Sequence, residues 1–152
     1  MEIHYSRGEK KAELANLVNV KAASFPRPSS VLLRLASRSI AGAPVVIAVA
    51  NTGELIAKGH ELFKVEKTSG RDFLRLMEVQ SSAAAVQNML IAATSLGIAT
   101  VWLGVLVLIK NDILRFVGEP EGEFMAVVPV GYAAKQSPGP HKRPLIMVVK
   151  EL

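Results

Sequence analysis

Polar and apolar residues alternate at the start of the chain, where residues 2–6 read Glu-Ile-His-Tyr-Ser, and this two-residue period predicts an edge strand. Arg7-Gly8 then turns the chain. Over residues 9–20 the period changes. Ala12, Leu14, Ala15, Leu17 and Val18 form a helical stripe, with Lys10 and Lys11 outside it. Phe25-Pro26-Arg27-Pro28 reads as a break and Ser29 or Ser30 as an N-cap, with a second helix following through Ser39. Gly42 ends that helix and Pro44 opens the next element.

Residues 45–50, Val-Val-Ile-Ala-Val-Ala, predict a central strand buried on both faces. Asn51-Thr52-Gly53 is a turn. Residues 54–77 mix polarity and carry most of the local charge, so a helical or irregular excursion is expected there. Residues 78–96 are helical in pattern. Ala83, Ala84, Ala85, Ala92 and Ala93 permit close approach, while Val86, Met89, Leu90 and Leu96 supply bulk. Gly97 suits a left-handed C-cap. A strand is expected over 100–103, ending in Gly104, and then a helix over 111–117 capped by Asn111, with Gly118 after it. A turn at 119–122, a buried strand over 124–132 and a loop over 136–140 follow. Residues 145–149 predict a last strand, at an edge or swapped between copies. With no internal repeat or linker, residues 1–152 are expected to form a single domain.

Composition sharpens this picture. Half the residues are hydrophobic and the mean hydropathy is +0.32, so part of the apolar surface is expected to face a second copy. No charge occurs between Glu78 and Lys110, a stretch long enough to cross a bilayer. Its polar residues, among them Gln80, Ser82 and Ser95, and the break at Gly97 make it a buried helix and strand instead. Mid-helix Gln87 and Asn88 read as structural hydrogen-bonding groups, between elements or across a dimer. The net charge is +5, but the basic residues are scattered and aromatics make up only 5%. Nucleic acid therefore lacks both a basic tract and stacking platforms, and a phosphate-bearing cofactor uses the charge better. The absence of cysteine excludes disulfides, thiol nucleophiles and thiolate metal sites and fits a cytoplasmic protein. The opening Met-Glu-Ile-His-Tyr lacks the apolar run of a signal peptide. His4, His60 and His141 lack metal-ligand spacing.

Three segments in order carry a resemblance. The first is Ala43-Pro44 followed by the strand at 45–50. The second is residues 85–104, from Ala85-Val86-Gln87-Asn88 to Trp102-Leu103-Gly104. The third runs from Ile113-Leu114 through Gly118-Glu119-Pro120-Glu121-Gly122 and Val130-Gly131-Tyr132 to Pro140-His141-Lys142-Arg143-Pro144. Together they resemble the FMN-dependent nitroreductase family: its central helix with the Leu-Gly stop, its Trp-bearing strand, its Pro-Glu-Gly turn and its phosphate loop. Residues 7–14 also resemble the segment that follows the family's Gln-Pro-Trp signature. The resemblance implies an α+β, three-layer fold with a mainly antiparallel central sheet flanked by helices. It also implies a homodimer with FMN at the interface, and NAD(P)H as donor to a nitroaromatic, quinone or similar small-molecule acceptor. The family's Arg-x-Ser-x-Arg and Gln-Pro-Trp segments have no counterpart here, so an N-terminally short member is expected. The alternative is a non-catalytic homologue that keeps the dimeric fold with weak or no flavin binding.

FMN requires cations for its phosphate, a flat apolar slot for its ring and donors near its polar edge. By position in the resemblance, Arg143 is the candidate phosphate ligand, assisted by Lys142 or His141, because a guanidinium matches phosphate oxygens bidentately. Trp102, Leu103, Gly104 and Val105 are the candidates for one flavin face, where Gly104 permits close approach and a backbone N–H there is expected to donate to flavin N5. Arg38, six positions before Pro44, is the candidate cation near the pyrimidine or ribityl end, with Arg34 a weaker one. No side chain is expected to act as an acid or base, since the chemistry is the cofactor's.

Overall fold

A computed structural model describes residues 1–63, 67–135, 139 and 141–151, with side chains for all but 60–63 and 67–69. Its strands are β1 (Glu2–Ser6), β2 (Val45–Asn51), β3 (Ala99–Thr100) and β4 (Glu123–Gly131). Its helices are α1 (Gly8–Ala22), α2 (Arg27–Gly42), α3 (Glu54–Phe63), α4 (Lys67–Ser95) and α5 (Lys110–Val117), with 3-10 turns at Gly104–Ile109 and Leu145–Met147. The sheet runs β1-β2-β4-β3 and every pairing is antiparallel. The expected central strand at 45–50 sits between β1 and β4, with Ala48 opposite both His4 and Val127.

Successive side chains of a strand point to opposite faces, and both faces of this sheet are covered. Val46, Ala48 and Val127 pack with Leu14 and Val18 of α1, Leu33 and Ile40 of α2, and Leu106 of the first 3-10 turn. On the other face Val49, Ala126 and Val128 pack against Val86 of α4. This is the three-layer α+β arrangement expected from the resemblance. The two helices of the first layer are also joined by a buried hydroxyl, where Ser37 Oγ donates to the Ala15 carbonyl at 2.7 Å.

Several boundaries differ from the sequence expectation, each for a local reason. Helix α2 opens at Arg27 and not after the prolines. Pro26 is its cap and Pro28 lies in its first turn, where a missing N–H costs nothing. Residues 54–77 are helical where described, and α4 already begins at Lys67. Gly59 lets α3 lie on α4, because a Cβ there would meet Leu74 Cδ2 at 2.6 Å. The strand expected over 100–103 is only Ala99–Thr100, since the chain turns away into the 3-10 segment. That segment runs directly into α5, so Ile109 is the cap position and Asn111 caps nothing. Residues 145–149 do not form a strand. They contribute the 3-10 turn Leu145–Met147, with Ile146 88% exposed, and do not join either edge of the sheet. The expected stops do hold at Gly97 (φ +72°) and Gly118 (φ +88°). Ile98 N–H donates to Ala93 O and Glu119 N–H to Leu114 O, closing both helix ends. No described helix is long and apolar enough to cross a membrane.

Candidate functional site

Because β2 and β4 are antiparallel, the residue before β2 and the last residue of β4 meet at one end of the sheet. A cavity of about 490 Å³ opens there. Gly42, Ala43 and Pro44 form one wall, Thr100 and Val101 a second, and Gly131 and Tyr132 a third. The lining is mainly apolar, as a slot for a planar ring requires. Gly131 is needed for the wall to close, since a Cβ on it would lie 2.6 Å from Pro44 Cδ. Lys11 fixes the other side. Its Nζ donates to Ala41 O at 2.9 Å and to Ala43 O at 2.7 Å, binding the carbonyls at the end of α2 beside the cavity.

From Val101 on the cavity wall the chain runs straight into the Trp102–Val105 segment. Trp102 is half-buried and packs against the core under α4, while Leu103 is buried in the core on the opposite face. The two side chains therefore straddle the sheet edge. Leu103 N–H donates to Val127 O at 3.0 Å, which fastens the segment to β4. Gly104 N–H donates to Trp102 O at 3.0 Å around Leu103 (φ −82°, ψ 69°), an inverse γ-turn. That bond engages the Gly104 N–H, and Val105 stands in the first turn of the 3-10 segment. Gly104 itself faces open space, with nothing within 4 Å of a Cβ built on it.

Arg38 is exposed and directly precedes Ser39, which lines the cavity. Arg34 is engaged elsewhere, donating to Asn19 Oδ1 at 3.2 Å. His141, Lys142 and Arg143 are exposed in the segment before the second 3-10 turn. Among the described residues no hydrogen bond or ion pair ties them to the cavity or to Trp102. Pro140 and residues 136–138 lie outside the described residues. Arg38 and the Trp102–Val105 segment thus adjoin in sequence residues that line the cavity, Ser39 and Val101, and His141, Lys142 and Arg143 are not among its lining residues. Gln87 and Asn88 face outward on α4, so they do not bridge elements within the chain. Among the described residues no group of three or more His, Asp or Glu side chains is placed to hold a metal ion. The role of Lys11 was not readable from the sequence, because its acceptors lie thirty or more positions away.

A four-stranded antiparallel sheet with helices on both faces is an α+β arrangement shared with solved nitroreductase-like structures. The chain belongs to the nitroreductase family: the model of the Nitroreductase family matches residues 3–132. Nitroreductase CinD from Lactococcus lactis, solved in complex with chloramphenicol, superposes with a TM-score of 0.75 at 13% identity, over 99% of this chain and 76% of that one. Nitroreductase A from Vibrio parahaemolyticus gives 0.69 at 17%, covering 99% of this chain and 56% of that one. A BluB-like flavoprotein from Clostridium difficile gives 0.64 at 17%, covering 99% and 78%. The chain thus spans between about half and three quarters of the length of these structures. No curated protein matches it significantly.

Proposed function

We propose that this protein is an FMN-dependent oxidoreductase that passes electrons from NAD(P)H to a nitroaromatic, quinone or similar small-molecule acceptor. The observation that carries the reading is the apolar cavity between Pro44 and Gly131, whose wall leads into the Trp102–Val105 segment, in a chain of this family. The residues present fit FMN: the cavity supplies a flat apolar slot, and Arg38, Lys142 and Arg143 are cations with no acid partner among the described residues. The flavoprotein among the structural neighbours adds support at the level of fold. The chemistry FMN supplies when bound is two-electron transfer between a nicotinamide and the acceptor.

The chain's own residues bind and orient. Trp102 and Gly104 would offer the ring a face and room for close approach, and Val105 N–H a donor to its polar edge. Leu103 would act through packing alone, holding that segment on β4. Arg38 would stabilise negative charge on the reduced ring by Coulomb attraction. Arg143, with Lys142 and His141, would take the phosphate, which requires the segment at 141–143 to close on the cavity. Pro44 and Gly131 would keep water from the ring's face.

The reading extends to a homodimer. Helix α4 turns apolar side chains outward, with Ile91 58% exposed and Leu96, just past its end, 72% exposed, and Gln87 and Asn88 lie on the same helix. The protein purified with FMN should be yellow, and NAD(P)H oxidation with FMN and a quinone should exceed the free-flavin rate. Colourless protein with no rate above background would favour the second reading, a non-catalytic homologue. That alternative is supported by the absence of Arg143 from the residues that line the cavity.

A further inference from the structure

The other end of the sheet holds a second cavity, of about 450 Å³, where β2 ends at Asn51 and β4 begins at Glu123. Six strand steps at ~3.3 Å separate it from the Pro44–Gly131 cavity by roughly 20 Å. Its character differs, because charged and amide side chains from α4, α5 and the turn before β4 converge on it. Arg71, Arg75 and Lys110 bring positive charge, and Glu78, Glu121 and Glu123 bring negative charge.

The formal charges of these side chains cancel, three cations against three carboxylates, and the groups differ in which are already engaged. Glu123 pairs directly with Arg75, and its carboxylate holds that guanidinium above its ordinary pKa, first through the hydrogen bond and then through Coulomb attraction. Glu78 Oε1 accepts the Leu55 N–H at 2.7 Å. Arg71 and Lys110 have no partner among the described residues. Glu121 is the one acid in the lining without a partner there, and it is exposed. The acids do not form a cation site, since no group of three or more metal-ligating side chains exists among the described residues.

Asn51 adds the deciding observation. It lines this cavity and is only 2% exposed. Its Oδ1 accepts from Ser82 Oγ, and its Nδ2 is buried with no acceptor among the described residues. A buried donor without an acceptor is costly, so the site calls for an oxygen there. We propose that this cavity binds a small oxyanion, a carboxylate or phosphate group of a small molecule, accepting from Asn51 Nδ2 and neutralised by Arg71 and Lys110. Asn51 supplies the desolvated contact and the two exposed cations supply attraction.

The test is a titration of the full-length, isotope-labelled protein with acetate, citrate and inorganic phosphate at constant ionic strength, read on the side-chain amide resonances of Asn51. Saturable shifts are expected with at least one probe, and the probe that saturates at lowest concentration identifies the source as carboxylate or phosphate. Arg71→Gln and Lys110→Gln, both at exposed positions, should each weaken binding about tenfold, whereas Arg27→Gln, of equal charge change on α2, should not. No saturable shift with any probe would overturn the proposal. So would equal weakening by all three variants, which would mark attraction to net charge without a site.

Discussion

Lys11 and Gly131 define the Pro44 cavity from its two sides, and each supports a prediction. Lys11 places an ammonium on two carbonyls at the end of α2, the negative pole of a helix. Lys11→Met keeps the stem but removes the charge. It should lower stability by about 1–2 kcal/mol, read as a shifted denaturant midpoint with unchanged slope. Gly131 lies against a rigid proline ring, so Gly131→Ala forces Pro44 to move. A loss of about 1–3 kcal/mol is expected, with weaker FMN binding in the same variant. Stability loss without any change in flavin affinity would separate this wall from the cofactor. Asn51 and Ser82 form a third buried pair. Ser82→Ala leaves Asn51 Oδ1 without its donor and should cost about 1–3 kcal/mol by thermal or chemical unfolding.

At the scale of elements, the sequence is legible where a single face is buried and obscure where structure depends on distant groups. The strands at 2–6, 45–50 and 124–132 appear within one residue of the structure; the β-branched runs of the last two reflect burial directly, whereas in the first Ile3 and Tyr5 are exposed and His4 is half-buried. Gly97 and Gly118 are readable as stops because a positive φ selects glycine. The early start of α4 at Lys67 is not readable, since its first turns mix charge with apolar groups that rest on α3. Asn111 has the composition of a cap but not the setting, because the preceding 3-10 segment already supplies the helical turn. The last segment, at 145–149, shows the limit of pattern alone. Its apolar run predicts a strand, yet the segment forms a 3-10 turn and pairs with neither edge strand, β1 or β3. For the proposed cofactor site, the Trp102–Val105 segment and Arg38 come from the resemblance alone. The engaged Gly104 N–H follows from the φ and ψ of Leu103, which no residue pattern encodes.

Across the whole molecule, exposed apolar side chains include Ile3 and Tyr5 on β1, Val31, Leu32 and Leu35 on α2, Ile91 on α4, and residues 145–149. Burial of such surface between copies follows from the hydrophobic effect and fits the proposed homodimer. Sedimentation should give twice the 16.3 kDa chain mass, and Ile91→Glu should shift the protein toward monomer. A wild-type monomer at micromolar concentration would remove the dimer from the account. The account's central claim is that a flavin nucleotide binds beside the Trp102–Gly104 segment. Trp102 is the chain's only tryptophan, so its emission reports that position alone. Titration with FMN should quench Trp102 emission saturably, ending at one FMN per chain. Emission that falls only in proportion to the light absorbed by added flavin, with no plateau, would contradict it.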